Sequence, residues 1–150
     1  MTKLLLSIHV LAALLAIGPV AVAASMFPRS LRRAHGDQGD PEALAGLRLL
    51  HRVCRVYAAV GVAVPVFGFA TARNLGVLGS GWLITSIVLT AVAAAVLGLL
   101  ILPAQEAALE AAPGTADSAA RLAMLTGVFN LLWATVTVLM IVRPGSTTGA

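Results

Sequence analysis

The chain has 150 residues, 59% of them hydrophobic, with ten Lys and Arg, six Asp and Glu, one Cys and a mean hydropathy of +0.97. An 11% charged fraction, against about 25% in an ordinary soluble domain, cannot cover a folded surface in water, which excludes a soluble enzyme and a disordered regulator. One cysteine excludes a disulfide scaffold, and the net charge of +4 lacks the aromatic-rich basic surface that a nucleic-acid partner needs.

Charge-free runs, the second (Val56 to Ala72) extended back to a helix start at Pro41, predict four spanning helices, at about 4–27, 41–72, 81–104 and 120–142, each run able to hold the roughly 17–25 residues that cross a bilayer. The expected fold class is all-α: a polytopic membrane protein, a four-transmembrane-helix bundle forming one integral membrane domain over 1–150. The first run, Leu4 to Pro28, competes with a cleaved signal peptide, with Lys3 as its positive region and Ala21-Val22-Ala23 as its cleavage site. Its apolar stretch to Val20 exceeds the roughly 7–15 residues of a signal and contains His9, so a retained span is expected. Pro19 and Pro65 fall within the first two spans and are expected to bend them.

Between the first two spans, Gly36-Asp37-Gln38-Gly39-Asp40 is a turn-forming stretch. Asp40-Pro41-Glu42 then reads as a helix start: a side chain that accepts from free N–H groups, a Pro that gives up no bond, and an acid that suits the dipole. On that helix Arg48, His51, Arg52 and Arg55 fall at i, i+3, i+4 and i+7 and form one basic stripe. Such a stripe snorkels to anionic lipid headgroups or docks an acidic partner. An internal candidate is the pair Glu106 and Glu110, four apart on an extension of the third helix.

Gly76, Gly79 and Gly81 predict a tight hairpin to the third span, with Trp82 at the interface and its N–H in water. The tail after Pro144 is expected to fray. Orientation follows from counting bases by side: seven (Arg29, Arg32, Arg33, Arg48, Arg52, Arg55, Arg121) border the first and third connections, and three (Lys3, Arg73, Arg143) the other side. Both termini are therefore expected outside and those connections in the cytoplasm.

No Asp, Glu, Lys or Arg lies in the middle of a span, which argues against an ion-coupled transporter. No zinc helix, serine elbow or paired cysteine occurs, so no catalytic residue, metal site or cofactor is assigned. His9 and His51 invite a shared haem, but antiparallel spans place them some 25 Å apart. By the same depth argument His9 is level with Thr85 and Ser86 and with Thr135 or Thr137. Thr126, Asn130, Trp133 and Thr137 share a face of the fourth helix, with Asn130 near mid-membrane. These groups hold the bundle together by interhelical hydrogen bonds, or else His9, Asn130, Trp133 and Thr137 line a small polar pocket for a quinone, lipid headgroup or apolar metabolite. Small residues four apart (Ala12/Ala16, Ala59/Ala63, Gly68/Ala72, Ala91/Ala95, Ala94/Gly98) allow close helix approach.

Ser7-Ile8-His9-Val10-Leu11-Ala12-Ala13, Gly39-Asp40-Pro41 leading into an Arg-rich helix, Gly81-Trp82-Leu83, and above all Leu139-Met140-Ile141-Val142-Arg143-Pro144 carry a likeness over nearly the whole chain. The chain resembles a bacterial family of predicted four-helix integral membrane proteins catalogued as a domain of unknown function. That resemblance implies four helices and a cytoplasmic-membrane location, and no reaction. The early His is more distantly similar to copper-resistance D-type membrane proteins, although the further His and Met residues of a copper path do not face His9 here.

The sequence thus predicts a non-enzymatic, multi-pass protein of the bacterial cytoplasmic membrane, a structural or accessory subunit whose partners are lipids, further copies of itself or a larger complex. The alternative is a binder of a quinone or haem at the His9 layer, and the third reading is a transporter component.

Overall fold

A computed structural model describes residues 2–36, 40–110 and 116–145. Regular structure among them is helical: α1 (Thr2–Ala34), α2 (Pro41–Gly61), α3 (Ala63–Leu75), α4 (Gly81–Ala95), α5 (Leu102–Glu110) and α6 (Ala116–Val142). A wide π-helical turn, Val96–Ile101, joins α4 to α5. Taken as rods, α1, α2 with α3, α4 with α5, and α6 give four segments long and apolar enough to cross a membrane: Lys3–Ala34, Pro41–Leu75, Gly81–Glu110 and Ser118–Val142.

His9 lies against Gly68, Ala16 against Gly61, and Ala23 and Ala24 against Cys54, a falling register that makes the second rod antiparallel to the first. One end of the bundle, the terminal end, therefore holds the start of α1 and the end of α6. The other, the loop end, holds the 35–40 connection. The core runs through Val20, Phe27, Leu31, Leu47, Ala93, Ile101, Leu122 and Phe129. The outward faces are apolar as well: Leu99, Leu131 and Ile141 are 73%, 70% and 74% exposed. Helices apolar inside and out suit a lipid solvent, where packing rather than water exclusion joins them.

α1 is longer than its charge-free run. Its 33 residues reach about 50 Å at 1.5 Å each, against about 30 Å of bilayer hydrocarbon. Instead of ending near residue 27 it continues through Pro19 and Pro28 to Ala34, so Arg29, Arg32 and Arg33 sit on the rod and not in a loop. Pro28 has no N–H for the carbonyl of Ala24, four residues back, and Thr126 of α6 supplies the donor: its hydroxyl meets that carbonyl at 3.4 Å.

The second rod starts as its sequence dictates, with Pro41 in the first turn and the Asp40 carboxylate accepting from the Glu42 N–H at 2.9 Å. It is interrupted between α2 and α3 at Val62, whose N–H turns back to the Ala59 carbonyl at 3.2 Å. Pro65 stands four residues after Gly61, where it leaves that carbonyl without its helical donor. Gly76 ends α3 in the left-handed region (φ 68°), which a residue with a Cβ adopts only at a cost, and the Val77 N–H closes on the Ala72 carbonyl at 3.2 Å.

The third rod runs past residue 104 to Glu110. Its wide turn precedes Pro103, and the Leu102 N–H reaches the Leu97 carbonyl, five residues back instead of four. Within this rod Ala93, Leu97, Ile101 and Gln105 are buried at intervals of four, one residue out of step with a regular helix.

Trp82 does not keep its N–H wet. The residue is 9% exposed and its Nε1 is buried without a partner. The guanidinium of Arg143 lies 5.7 Å from the centre of its ring. Residues 37–39 of the first turn, the tail from 146 and the side chain of Asp117 lie outside the described residues.

Candidate functional site

His9 sits on α1 where α3 has no side chain. Its Nδ1 is 2.9 Å from the Val64 carbonyl. A carbonyl only accepts, so Nδ1 carries a proton, and in the neutral ring the lone pair is on Nε2. The ring fills the space over Gly68, where a Cβ would come within 2.8 Å of Cε1. The hydroxyls that the depth argument set level with it all bond backwards on their own helices: Thr85 to the Gly81 carbonyl, Ser86 to Trp82, Thr135 to Leu131 and Thr137 to Trp133, each within 2.9 Å.

Asn130 is elsewhere. Its Nδ2 donates to the Ser25 hydroxyl at 3.3 Å, sixteen residues along α1 from His9, or about 24 Å of helix. No small ligand touches both. The inward positions of α6 are Ala119, Leu122, Thr126, Phe129 and Val136, and Thr137 is exposed. Trp133 packs edge-on against Phe129, with centroids 6.2 Å apart, and its Nε1 is buried without a partner. His9, Asn130, Trp133 and Thr137 are thus dispersed along the bundle and do not form one pocket.

The basic stripe loses a member and gains a purpose for it. Arg48, Arg52 and Arg55 are exposed, but His51 is only 7% exposed and faces the third rod. There its Nδ1 donates to Gln105 Oε1 at 3.0 Å, and Gln105 Nε2 donates to Cys54 Sγ at 3.7 Å. Gln105 and Cys54 are fully buried. His51 and Cys54, three apart, lie on one face of α2, and Gln105 reaches that face from α5. Gln105 was not a sequence candidate: a regular 3.6-residue count from Ala93 points Ala104 inward, and the only available signal was Pro103 with its displaced turn.

This chain of three side chains lies at the level of Ala23, Ala24 and Thr126, so the bundle's interhelical polar bonds concentrate toward the loop end. Outside it the surface is basic. Arg29, Arg32 and Arg33 on α1 and Arg48, Arg52 and Arg55 on α2 are all exposed. Glu106 and Glu110 are exposed too, and no ion pair joins acid to base among the described residues. Nor do three His, Cys, Asp or Glu residues converge there in a way that would hold a metal ion. His9 bonds the second rod thirteen residues beyond His51, about 20 Å along it, so the two imidazoles do not share an iron.

Comparison with family models, with curated proteins and with solved structures finds no match.

Proposed function

We propose that this chain is a multi-pass membrane protein of the bacterial cytoplasmic membrane that acts by contact and not by catalysis, a structural or accessory subunit whose arginine face holds anionic lipid headgroups. One observation carries the reading: Arg48, Arg52 and Arg55 stand exposed on one side of α2 with no acid among the described residues paired to them, beside apolar outward residues such as Leu49 and Val56. Bases at that level reach headgroup phosphates while their stems stay in hydrocarbon. The side chains best suited to chemistry are engaged in helix-to-helix bonds, as His9, His51, Gln105 and Asn130 are. The excess of seven bases over three sets the loop end in the cytoplasm and both termini outside. The likeness to the four-helix bacterial family implies four helices and a cytoplasmic-membrane location. Further copies of the chain, or a larger complex, are the expected neighbours of its apolar outer faces.

Native mass spectrometry of the purified protein tests the headgroup contact. The protein should retain phosphatidylglycerol in preference to phosphatidylcholine, and Arg48→Gln/Arg52→Gln/Arg55→Gln should lose that preference. Equal retention by the unaltered protein would sink the reading. Orientation is checked by cysteine labelling in a Cys54→Ala background: Ser30→Cys should label from the cytoplasm and Ser146→Cys from outside.

A second reading has its own observation, the fixed tautomer of His9, which leaves Nε2 as an acceptor or ligand. In that reading the protein binds a quinone or a haem there. A Soret band that disappears in His9→Ala would establish it, and a colourless, quinone-free preparation would remove it.

A further inference from the structure

His51 lies at the inner edge of the arginine face, turned toward the third rod. Its Nδ1–H is spent on Gln105 Oε1, so in the neutral ring it is the outer nitrogen, Nε2, that holds the lone pair. That nitrogen has no partner among the described residues. It is not sealed either, because the side-chain nitrogens buried without a partner among the described residues are those of His35 Nδ1, Trp82 Nε1 and Trp133 Nε1. The small fraction of His51 that stays exposed therefore includes a hydrogen-bond acceptor opening onto the surface. Arg48 precedes it by three residues and Arg55 follows by four, the spacings at which helix side chains are neighbours, and both are exposed. An acceptor with an arginine about one turn to either side of it along the helix is the reverse of what a bare anion needs. It suits an anion that carries its own donor nearby.

Resting on the lipid-contact reading above, we propose that His51 with Arg48 and Arg55 reads the headgroup: the site takes an anionic phosphodiester lipid whose headgroup bears a free hydroxyl. The guanidinium groups of Arg48 and Arg55 donate to the phosphate oxygens, and the headgroup hydroxyl donates to His51 Nε2. Gln105 is a positioning residue. By accepting from Nδ1 it fixes the tautomer that makes Nε2 an acceptor, and its own amide is held by Cys54.

The test compares three lipids titrated into the delipidated, detergent-solubilised protein, with binding read by native mass spectrometry. Phosphatidylglycerol and phosphatidylethanol carry the same charge and differ in the headgroup hydroxyls, and phosphatidylcholine is the zwitterionic control. Phosphatidylglycerol should bind about fivefold more tightly than phosphatidylethanol, the net worth of one hydrogen bond. His51→Asn keeps an N–H near the place of Nδ1 for Gln105 and has no counterpart of Nε2. It should bring phosphatidylglycerol down to the level of phosphatidylethanol and leave phosphatidylethanol unchanged. Where that variant fails to fold, the 15N resonance of Nε2 in the unaltered protein serves instead, and it should move with phosphatidylglycerol and not with phosphatidylethanol. Equal binding of the two anionic lipids, or equal movement of the resonance, overturns the hydroxyl reading and leaves the arginine contact standing. No preference of either over phosphatidylcholine overturns the arginine contact itself.

Discussion

The hydroxyl of Thr126 on α6 donates to the carbonyl of Ala24 on α1 at 3.4 Å, and that carbonyl is the one Pro28 cannot serve. A defect written into one helix is thus repaired by another, which ties the first and last rods together at the level of the His51–Gln105–Cys54 chain. In hydrocarbon, with no water to replace the missing donor, such a repair has structural weight.

The first prediction separates the repair from ordinary packing. Thr126→Val should destabilise the bundle by about 1 kcal/mol, within the range of interhelical bonds in lipid. In a Pro28→Ala background, where residue 28 regains its N–H, the same substitution should cost markedly less. Unfolding by steric trapping in bicelles gives the four free energies of the cycle, and strict additivity would show that the hydroxyl does not serve this carbonyl.

Gly68 gives a second cycle. Its absent Cβ is where His9 lies, and Gly68→Ala would set a carbon 2.8 Å from Cε1. The expected loss is about 1–3 kcal/mol, as for other overpacked contacts. His9→Ala should relieve most of it, because the methyl then enters vacated space. The 15N shifts of His9 should independently report a proton on Nδ1.

The buried polar chain is read through its thiol. Cys54 is fully buried and its Sγ accepts from Gln105, so a maleimide should not label it in the folded protein. Gln105→Ala removes that donor and leaves His51 Nδ1–H without its acceptor, at a cost of about 1–3 kcal/mol for the stranded group. Labelling of Cys54 should accelerate accordingly. An unchanged labelling rate would mean that apolar packing alone seals the site.

At the terminal end, Arg143 takes a left-handed backbone conformation (φ 47°) that is unfavourable for a residue with a Cβ. Its N–H bonds the Leu139 carbonyl at 3.0 Å, its Nε the Met140 carbonyl at 3.3 Å, and its guanidinium covers Trp82. Arg143→Gly relieves the backbone and removes the cation over the ring, while Arg143→Ala loses the cation and keeps the strain. Arg143→Ala should therefore be the less stable of the two by about 1 kcal/mol. Both should shift Trp82 emission, recorded in a Trp133→Phe background.

Much of the architecture is legible in the sequence. Sixteen charges in 150 residues locate four apolar segments, and Asp40-Pro41-Glu42 marks where the second rod begins. The ends of the first and third rods are less legible because a charge-free run stops at its first charged residue while the helix goes on. Arg29 does not end its helix, and Pro28 and Pro103 sit inside helices whose missing bonds are repaired by a threonine hydroxyl or absorbed by a widened turn. The site was legible only residue by residue. His9 and His51 stood out as ionisable groups near lipid, but their partners did not: a backbone carbonyl at Val64 has no side-chain signature, and Gln105 is out of phase with the helix that carries it.

That phase is the work of a single residue. The π-helical turn at 96–101 accommodates one more residue than an α-helix would, which turns everything after it back by about 100°. Deleting one residue from this turn, Gly98 for instance, would restore a regular helix and keep Gln105 on the face shared with His51 and Cys54, whereas straightening the turn at constant length would bring Ala104 round in its place. A methyl would then lie where the amide is. The extra residue therefore acts as a selector, deciding whether an amide or a methyl meets His51.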